Sequence, residues 1–383
     1  MNLTGTIISQ LTPSGRGAVA SILVAGPNAV ELVSRHFSAA SGKTLSELPT
    51  GRVVFGTFRS LESDVEEVVV GLISPNQVEI HCHGGALASA ALIKRVAEDG
   101  AEVVPWQRVA ELLEPDRIAA EARVALAEGR TEKTAAILLD QYHGALKSCI
   151  CNVISQLEES VVSRSAPMAR LARLLDLAPL GRHLTQPWRV FIAGAPNVGK
   201  SSLMNALVGY QRSIVFDQPG TTRDLLTAST ALDGWPIELV DSAGLRESDD
   251  ILEAAGVARA TAGLAEADLV LWVEDATKLV DTETGVARPR LGVGVLDLVV
   301  RNKADLVPDS VLTPDANAIA VSALTGQGIS QLCQRIVERL VPAPPKPAEA
   351  ILFTSRQENA VREAAEALSS GNIVSALTWL RTL

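Results

Sequence analysis

At 383 residues the chain is longer than one hydrophobic core usually supports, so two or three domains are expected. Hydrophobic residues make up 47% of it and are spread along its length, which excludes a largely disordered protein. A net charge of −10 excludes binding of nucleic acid by bulk attraction, so any RNA partner would need a local basic patch or a second protein to hold it.

The opening MNLTGTIISQLTP lacks the basic-then-apolar order of a signal peptide, and no apolar run reaches the roughly 18 residues that span a bilayer. A cytoplasmic protein without a membrane span is the expectation. Cys82, Cys149, Cys151 and Cys333 are too few and too irregularly spaced for a disulfide framework or a paired zinc motif, and read as reduced thiols.

Residues 1–110 mix β-branched runs (GTIISQ, AVASILVAG, RVVFGTF, EVVVGLIS, QVEIHCH) with one helical stretch, ALASAALIKRVAEDGAE, the pattern of an α+β domain. Residues 111–186 are rich in Ala, Leu, Glu and Arg and predict successive helices, among them KSCICNVISQLEESV. An α/β module over 187–342 opens on the strand-like WRVFIAG and closes on the stiff proline-rich VPAPPKPAE. The tail, 343–383, predicts one or two helices that pack beside the earlier ones. The fold class is therefore multidomain α/β, with the module inserted in a helical domain and preceded by an α+β N-terminal domain.

The chemistry is concentrated in the module. Gly194-Ala-Pro-Asn197-Val198-Gly199-Lys200-Ser201 fits GxxxxGK[ST] between a strand and the helix-like SSLMNALVG, which begins at Ser201 and Ser202. Backbone N–H groups of such a loop face phosphate oxygens at a helix N-terminus; Lys200 would reach the β- and γ-phosphates and Ser201 would ligate magnesium. Asn302-Lys303-Ala304-Asp305 follows the strand GVLDLVV, and a carboxylate at Asp305 can accept both N–H groups of guanine, a pattern adenine does not offer. Ser322-Ala323-Leu324 follows AIAV and can give a backbone N–H to the guanine carbonyl. Asp241-Ser-Ala-Gly244 places a carboxylate near magnesium and a glycine amide at the γ-phosphate, while Thr222, in Gly220-Thr221-Thr222-Arg223-Asp224, can complete the metal's coordination. These elements, in this order, describe a P-loop GTPase domain. Leu245 stands where a water-orienting glutamine often sits, so the attacking water must be handled by other groups.

PNVGKSSLMNAL, GTTRD and DSAGLRE, with TIISQLTPSGRGAVASI and VEIHCHGG outside the module, resemble the MnmE (TrmE) family of tRNA-modification GTPases. The resemblance implies a homodimer, hydrolysis stimulated by potassium, and work on wobble uridine with a flavin-dependent, MnmG-like partner, the tRNA being met only indirectly. It makes Asn197, Phe216, Gln218 and Thr221 the potassium ligands, Phe216 and Gln218 by their carbonyls alone. It makes Glu253 the catalytic carboxylate that positions water, alongside Lys200 and Thr222.

The pattern breaks in the one-carbon machinery. The family's cysteine-containing CxGK motif does not occur before WLRTL, Leu23 replaces an expected arginine, and WQRVAELLEPDR replaces a lysine-bearing segment. Of the folate-contacting groups only Glu79 is in place, and Arg16, His81 and His83 read as turn-shaping residues. Formyl-tetrahydrofolate is therefore expected to bind weakly. Two functions stay open: a wobble-uridine-modifying GTPase, or a regulatory GTPase switch of the same architecture that has lost one-carbon transfer; NKAD argues against an ATPase or kinase.

Overall fold

The computed structural model describes residues 3–13, 15, 17–59, 65–159, 164–210, 227–241, 266–278, 295–308, 312 and 317–383. The chain divides into two compact units, Met1–Val124 and Ala125–Leu383.

The first unit runs β1 (Ile7–Gln10), β2 (Val19–Ala25), α1 (Ala29–Ser34), β3 (Phe37–Ala39), β4 (Val53–Arg59), β5 (Val65–Ser74), β6 (Gln77–His83), α2 (Ala86–Glu98), β7 (Glu102–Val103) and α3 (Trp106–Leu113), and ends in α4 (Arg117–Glu128). Its strands form one sheet in the order β3-β4-β5-β6-β2-β1-β7, antiparallel except for the β1–β7 pair. Strand alternation sorts the side chains. Ile22, Val24, Val68, Val70 and Ile80 face α1 and α2, where Leu32, Leu92 and Val96 complete the main core. Ile7, Leu23 and Ala25 face the other way and meet Val109 of α3. That contact makes α3 part of the first unit, and the two units part within α4, beyond the residue 110 suggested by composition.

In the second unit come α5 (Glu132–Tyr142), α6 (Ala145–Glu158), α7 (Ser165–Arg182), β8 (Trp188–Gly194), α8 (Lys200–Tyr210), β9 (Thr227–Leu232), β10 (Trp235–Asp241), β11 (Leu269–Asp275), β12 (Leu296–Asn302), β13 (Ala318–Ala320), α9 (Ile329–Leu340), α10 (Ser355–Ser369) and α11 (Ile373–Leu380). The sheet order is β13-β12-β11-β8-β10-β9; only β9 runs antiparallel. Strands β8, β10 and β11 are buried almost residue by residue, as parallel strands covered on both faces must be.

Helices α10 and α11 pack back on α7 and α6, so the chain leaves the helical bundle at β8, builds the α/β domain and returns. Capping fixes where those helices begin: Thr131, Thr354 and Asn372 accept from the N–H groups of Thr134, Gln357 and Ser375. The proline-rich segment is pinned to the bundle. Buried Gln141 donates to the Glu349 carbonyl at 3.0 Å and accepts from Ile351 N–H at 3.1 Å, and Arg173 pairs with Glu349 at 2.8 Å. At its other edge the bundle holds the β9–β10 turn, where Thr131 Oγ1 donates to the Gly234 carbonyl at 2.7 Å and Lys133 Nζ to Asp233 Oδ2 at 2.8 Å. Among the described residues no helix is long and apolar enough to cross a membrane.

Candidate functional site

The site forms where parallel strands β8, β11 and β12 end together, so that the loops after them converge. Gly194 ends β8 at φ +154°, and a Cβ there would lie 2.3 Å from the Val273 carbonyl oxygen of β11. Gly199 sits at φ +92°, with Asn302 Nδ2 2.3 Å from where a Cβ would be. Only glycine fits either place, and both keep the 194–199 loop tight against its neighbours. Asn197 also takes positive φ, which asparagine tolerates better than most side chains. Lys200, the first residue of α8, is buried and donates from Nζ to the carbonyls of Gly194 (3.2 Å) and Ala195 (3.0 Å).

Asn302 ties two loops together. Its Nδ2 donates to the Val198 carbonyl at 2.9 Å, and its Oδ1 accepts from Ala323 N–H at 3.0 Å. Each end of the amide makes a bond to protein, and together they hold the 194–199 loop against the 322–324 loop. Ser322 is fully buried, its Oγ accepting from Thr325 N–H at 3.1 Å, and Leu324 is exposed at the rim. Asp305, in the short 3-10 turn Ala304–Leu306, is exposed at the same mouth. Ser202 lies beside Ser201 in the first turn of α8.

Ser201 Oγ donates to Asp241 Oδ2 at 2.8 Å, joining the start of α8 to the end of β10. Asp241 is wholly buried. An alcohol and a carboxylate, both hard oxygen donors, fit magnesium, which keeps water and phosphate oxygens as its other ligands. Among the described residues no group of three His, Cys, Asp or Glu side chains is placed to hold a metal by itself. Phe216, Gln218, Thr221, Thr222, Gly244 and Glu253 lie outside the described residues.

One polar group at this site escaped the sequence reading. Asp275, at the end of β11, is 7% exposed and accepts from Lys303 Nζ at 2.6 Å, from Thr277 N–H at 3.0 Å and from Thr277 Oγ1 at 2.7 Å. Burial pushes its carboxyl up, but Lys303 and the Thr277 donors outweigh burial and hold it below the usual carboxylate range. The signal was available: an aspartate closing the apolar run LVLWVED, on a strand that pairs with the one carrying NKAD.

In the first unit, Glu79 on β6 stands directly across from Leu23 on β2. Leu23 is buried against Ile7, Val104 and Val109. His81 and His83 lie within β6 and are not turn residues, because β6 continues unbroken to residue 83. His81 Nδ1 meets Ser21 Oγ at 2.9 Å, its Nε2 is 3.6 Å from Glu79, and His83 pairs with Glu66. Arg16 lies outside the described residues.

Comparison with known proteins agrees with this geometry. Residues 6–111 match the family described as GTP-binding protein TrmE N-terminus, and residues 189–291 match 50S ribosome-binding GTPase. The chain is 31% identical to the tRNA modification GTPase MnmE of Lactococcus lactis subsp. cremoris (strain MG1363), with 96% of this chain and 88% of that protein covered. It is 30% identical to the tRNA modification GTPase MnmE of Bacillus subtilis (strain 168), covering 86% and 81%. A crystal structure of Aquifex aeolicus Era bound to GDP·AlF4− is 28% identical over 47% of this chain and 66% of its own, at a TM-score of 0.31, below the range in which two chains share an overall architecture. With both units matched and nearly the whole chain aligned to such relatives, the chain belongs to the MnmE family of tRNA modification GTPases.

Proposed function

We propose that the chain binds and hydrolyses GTP in the service of tRNA wobble-uridine modification. The observation that carries this reading is the Asn302 brace, which joins a phosphate-type loop to a guanine-type loop in one pocket mouth. Asp305 reads the guanine N–H edge, a backbone N–H of the 322–324 loop meets the base carbonyl, and the 194–199 amides with Lys200 hold the phosphates. Ser201 and Thr222 would hold magnesium with Asp241 behind them; the ion would neutralise charge on the phosphate oxygens. Glu253 would orient the attacking water, which Leu245 cannot do.

Asn197, Thr221 and the carbonyls of Phe216 and Gln218 would hold potassium beside the phosphates, in a GTPase domain completed by a second copy in a homodimer. Turnover at equal ionic strength in potassium and in sodium tests this: faster turnover in potassium supports it, and equal rates contradict it. Relatives named for tRNA modification align along nearly the whole chain and so favour that role over a purely regulatory switch. A flavin-dependent, MnmG-like partner would supply the redox chemistry and help present tRNA to an acidic protein, in the cytoplasm. Folate would be held weakly, because Leu23 offers no charge opposite Glu79. Deleting the gene and restoring this chain tests the role: recovery of modified wobble uridine supports it, and unchanged modification on deletion contradicts it.

A further inference from the structure

Lys303 is held in an unusual way for a flexible cation. Its backbone takes the left-handed conformation at φ +66°, directly after the Asn302 brace. From there the side chain runs to the 194–199 loop, where Nζ donates to the Asn197 carbonyl at 3.0 Å, and to Asp275 Oδ2 at 2.6 Å. The side chain thus links the NKAD turn that carries Asp305 to the 194–199 loop. The Asn197 carbonyl is neutral and Lys303 is about one-third exposed, so that contact alone would compete poorly with water for the ammonium.

Asp275 is the partner that decides the matter. It is buried and charged, and Thr277 sets its orientation through two donors on the adjoining 3-10 turn Ala276–Lys278. Asp275 and Asn302 are cross-strand neighbours, so the carboxylate and the lysine it holds rest on adjacent, rigidly paired strands. A buried, pre-oriented carboxylate costs free energy unless its partner stays in place, and the same cost holds Lys303 against the nucleotide mouth. We infer that Asp275 is a positioning residue for guanine nucleotide: through Lys303 it fixes one wall of the base pocket and slows nucleotide release. The inference rests on the guanine-nucleotide reading above.

Release of fluorescent methylanthraniloyl-GDP from the full chain, chased with excess GDP, tests it. Asp275→Asn keeps the size and an acceptor but loses the charge, and is expected to speed release ~10–100-fold. Thr277→Val leaves the carboxylate in place with one donor fewer, and is expected to give a smaller rise; it also serves where Asp275→Asn folds poorly. Lys303→Met keeps the stem and removes the ammonium. If Asp275 acts through Lys303, Asp275→Asn adds little in the Lys303→Met background, whereas a merely structural aspartate would give multiplicative effects. Release by Asp275→Asn within twofold of the unaltered chain, or multiplicative effects in the double variant, would overturn the inference while leaving the nucleotide reading intact. An unaltered chain that does not retain the probe would overturn both.

Discussion

Ser201 and Asp241 are joined hydroxyl to carboxylate at 2.8 Å, across the gap between the start of α8 and the end of β10. The contact presets the serine oxygen before any metal arrives and leaves the buried carboxylate with a donor. Asp241→Asn keeps the shape but removes the charge behind the proposed magnesium position. Turnover is expected to fall on the order of 10–100-fold, the usual cost of losing an outer-shell partner, while GDP remains bound. Undiminished magnesium-dependent turnover in the variant would place the metal elsewhere.

The Asn302 brace predicts a linked loss of stability and affinity. Asn302→Ala leaves the Val198 carbonyl and Ala323 N–H without their partner, at about 2–3 kcal/mol of folding stability. Gly199→Ala attacks the same joint from the other side, since its Cβ would overlap Asn302 Nδ2 in a backbone conformation that alanine resists. Denaturant unfolding and nucleotide titration should show both variants weakened in both measures. A full loss of affinity with unchanged stability would mean that Asn302 touches nucleotide instead of bracing loops.

A pH effect is expected at the joint between the bundle and the GTPase domain. His183 stacks on Trp188 with ring centroids 3.5 Å apart, and its Nε2 is 3.6 Å from Asp268. Burial lowers the His183 value and outweighs the carboxylate that would raise it. The folded chain thus favours the neutral ring more than the unfolded chain does. Its stabilisation is complete above the unfolded value of about 6.5 and is lost as pH falls toward the folded value, because only the unfolded chain takes up the proton. Melting temperature should fall between pH ~7 and ~5, and His183→Phe, which keeps the stack, should flatten that slope. Parallel profiles for the two proteins would exclude His183 as the cause.

In the first unit, Leu23→Arg is expected to fail as a way to create folate binding. Leu23 is buried with Ile7 and Val109, so an arginine there must break that packing, at about 2 kcal/mol or more, even with Glu79 across from it. Calorimetric titration of the unaltered chain with 5-formyl-tetrahydrofolate should show binding weaker than micromolar. Micromolar binding would show that residues around Glu79 have rebuilt the pocket.

Much of this was legible in the sequence because the informative residues are local. GAPNVGKS, NKAD and SAL each carry turn geometry and chemistry within a few positions, and strand runs such as EVVVGLIS alternate as strands do. Short elements were not legible: α1, β3 and β7 have six residues or fewer and too few periods to stand out. Composition placed a domain boundary at residue 110, beside the end of the N-terminal family match at 111, but it could not show that α3 packs on β1 and β2 through Val109, a contact across about 85 to 100 positions of sequence that no local pattern carries. Asn302 was legible as a site residue because its motif is local, but its bonds to residues 198 and 323 were not, because they come from distant loops. Asp275 and Lys303 escaped as a pair for the same reason: strand pairing brings them together, not spacing.

The most direct measurement is displacement of fluorescent methylanthraniloyl-GDP from the purified chain by GTP and by ATP, repeated with Asp305→Asn. The account predicts that GTP displaces the probe and ATP does not. It also predicts that Asp305→Asn weakens GTP by about 2–4 kcal/mol, as charge-assisted bonds to the base are left unmade. Equal displacement by ATP and GTP from the unaltered chain would contradict it.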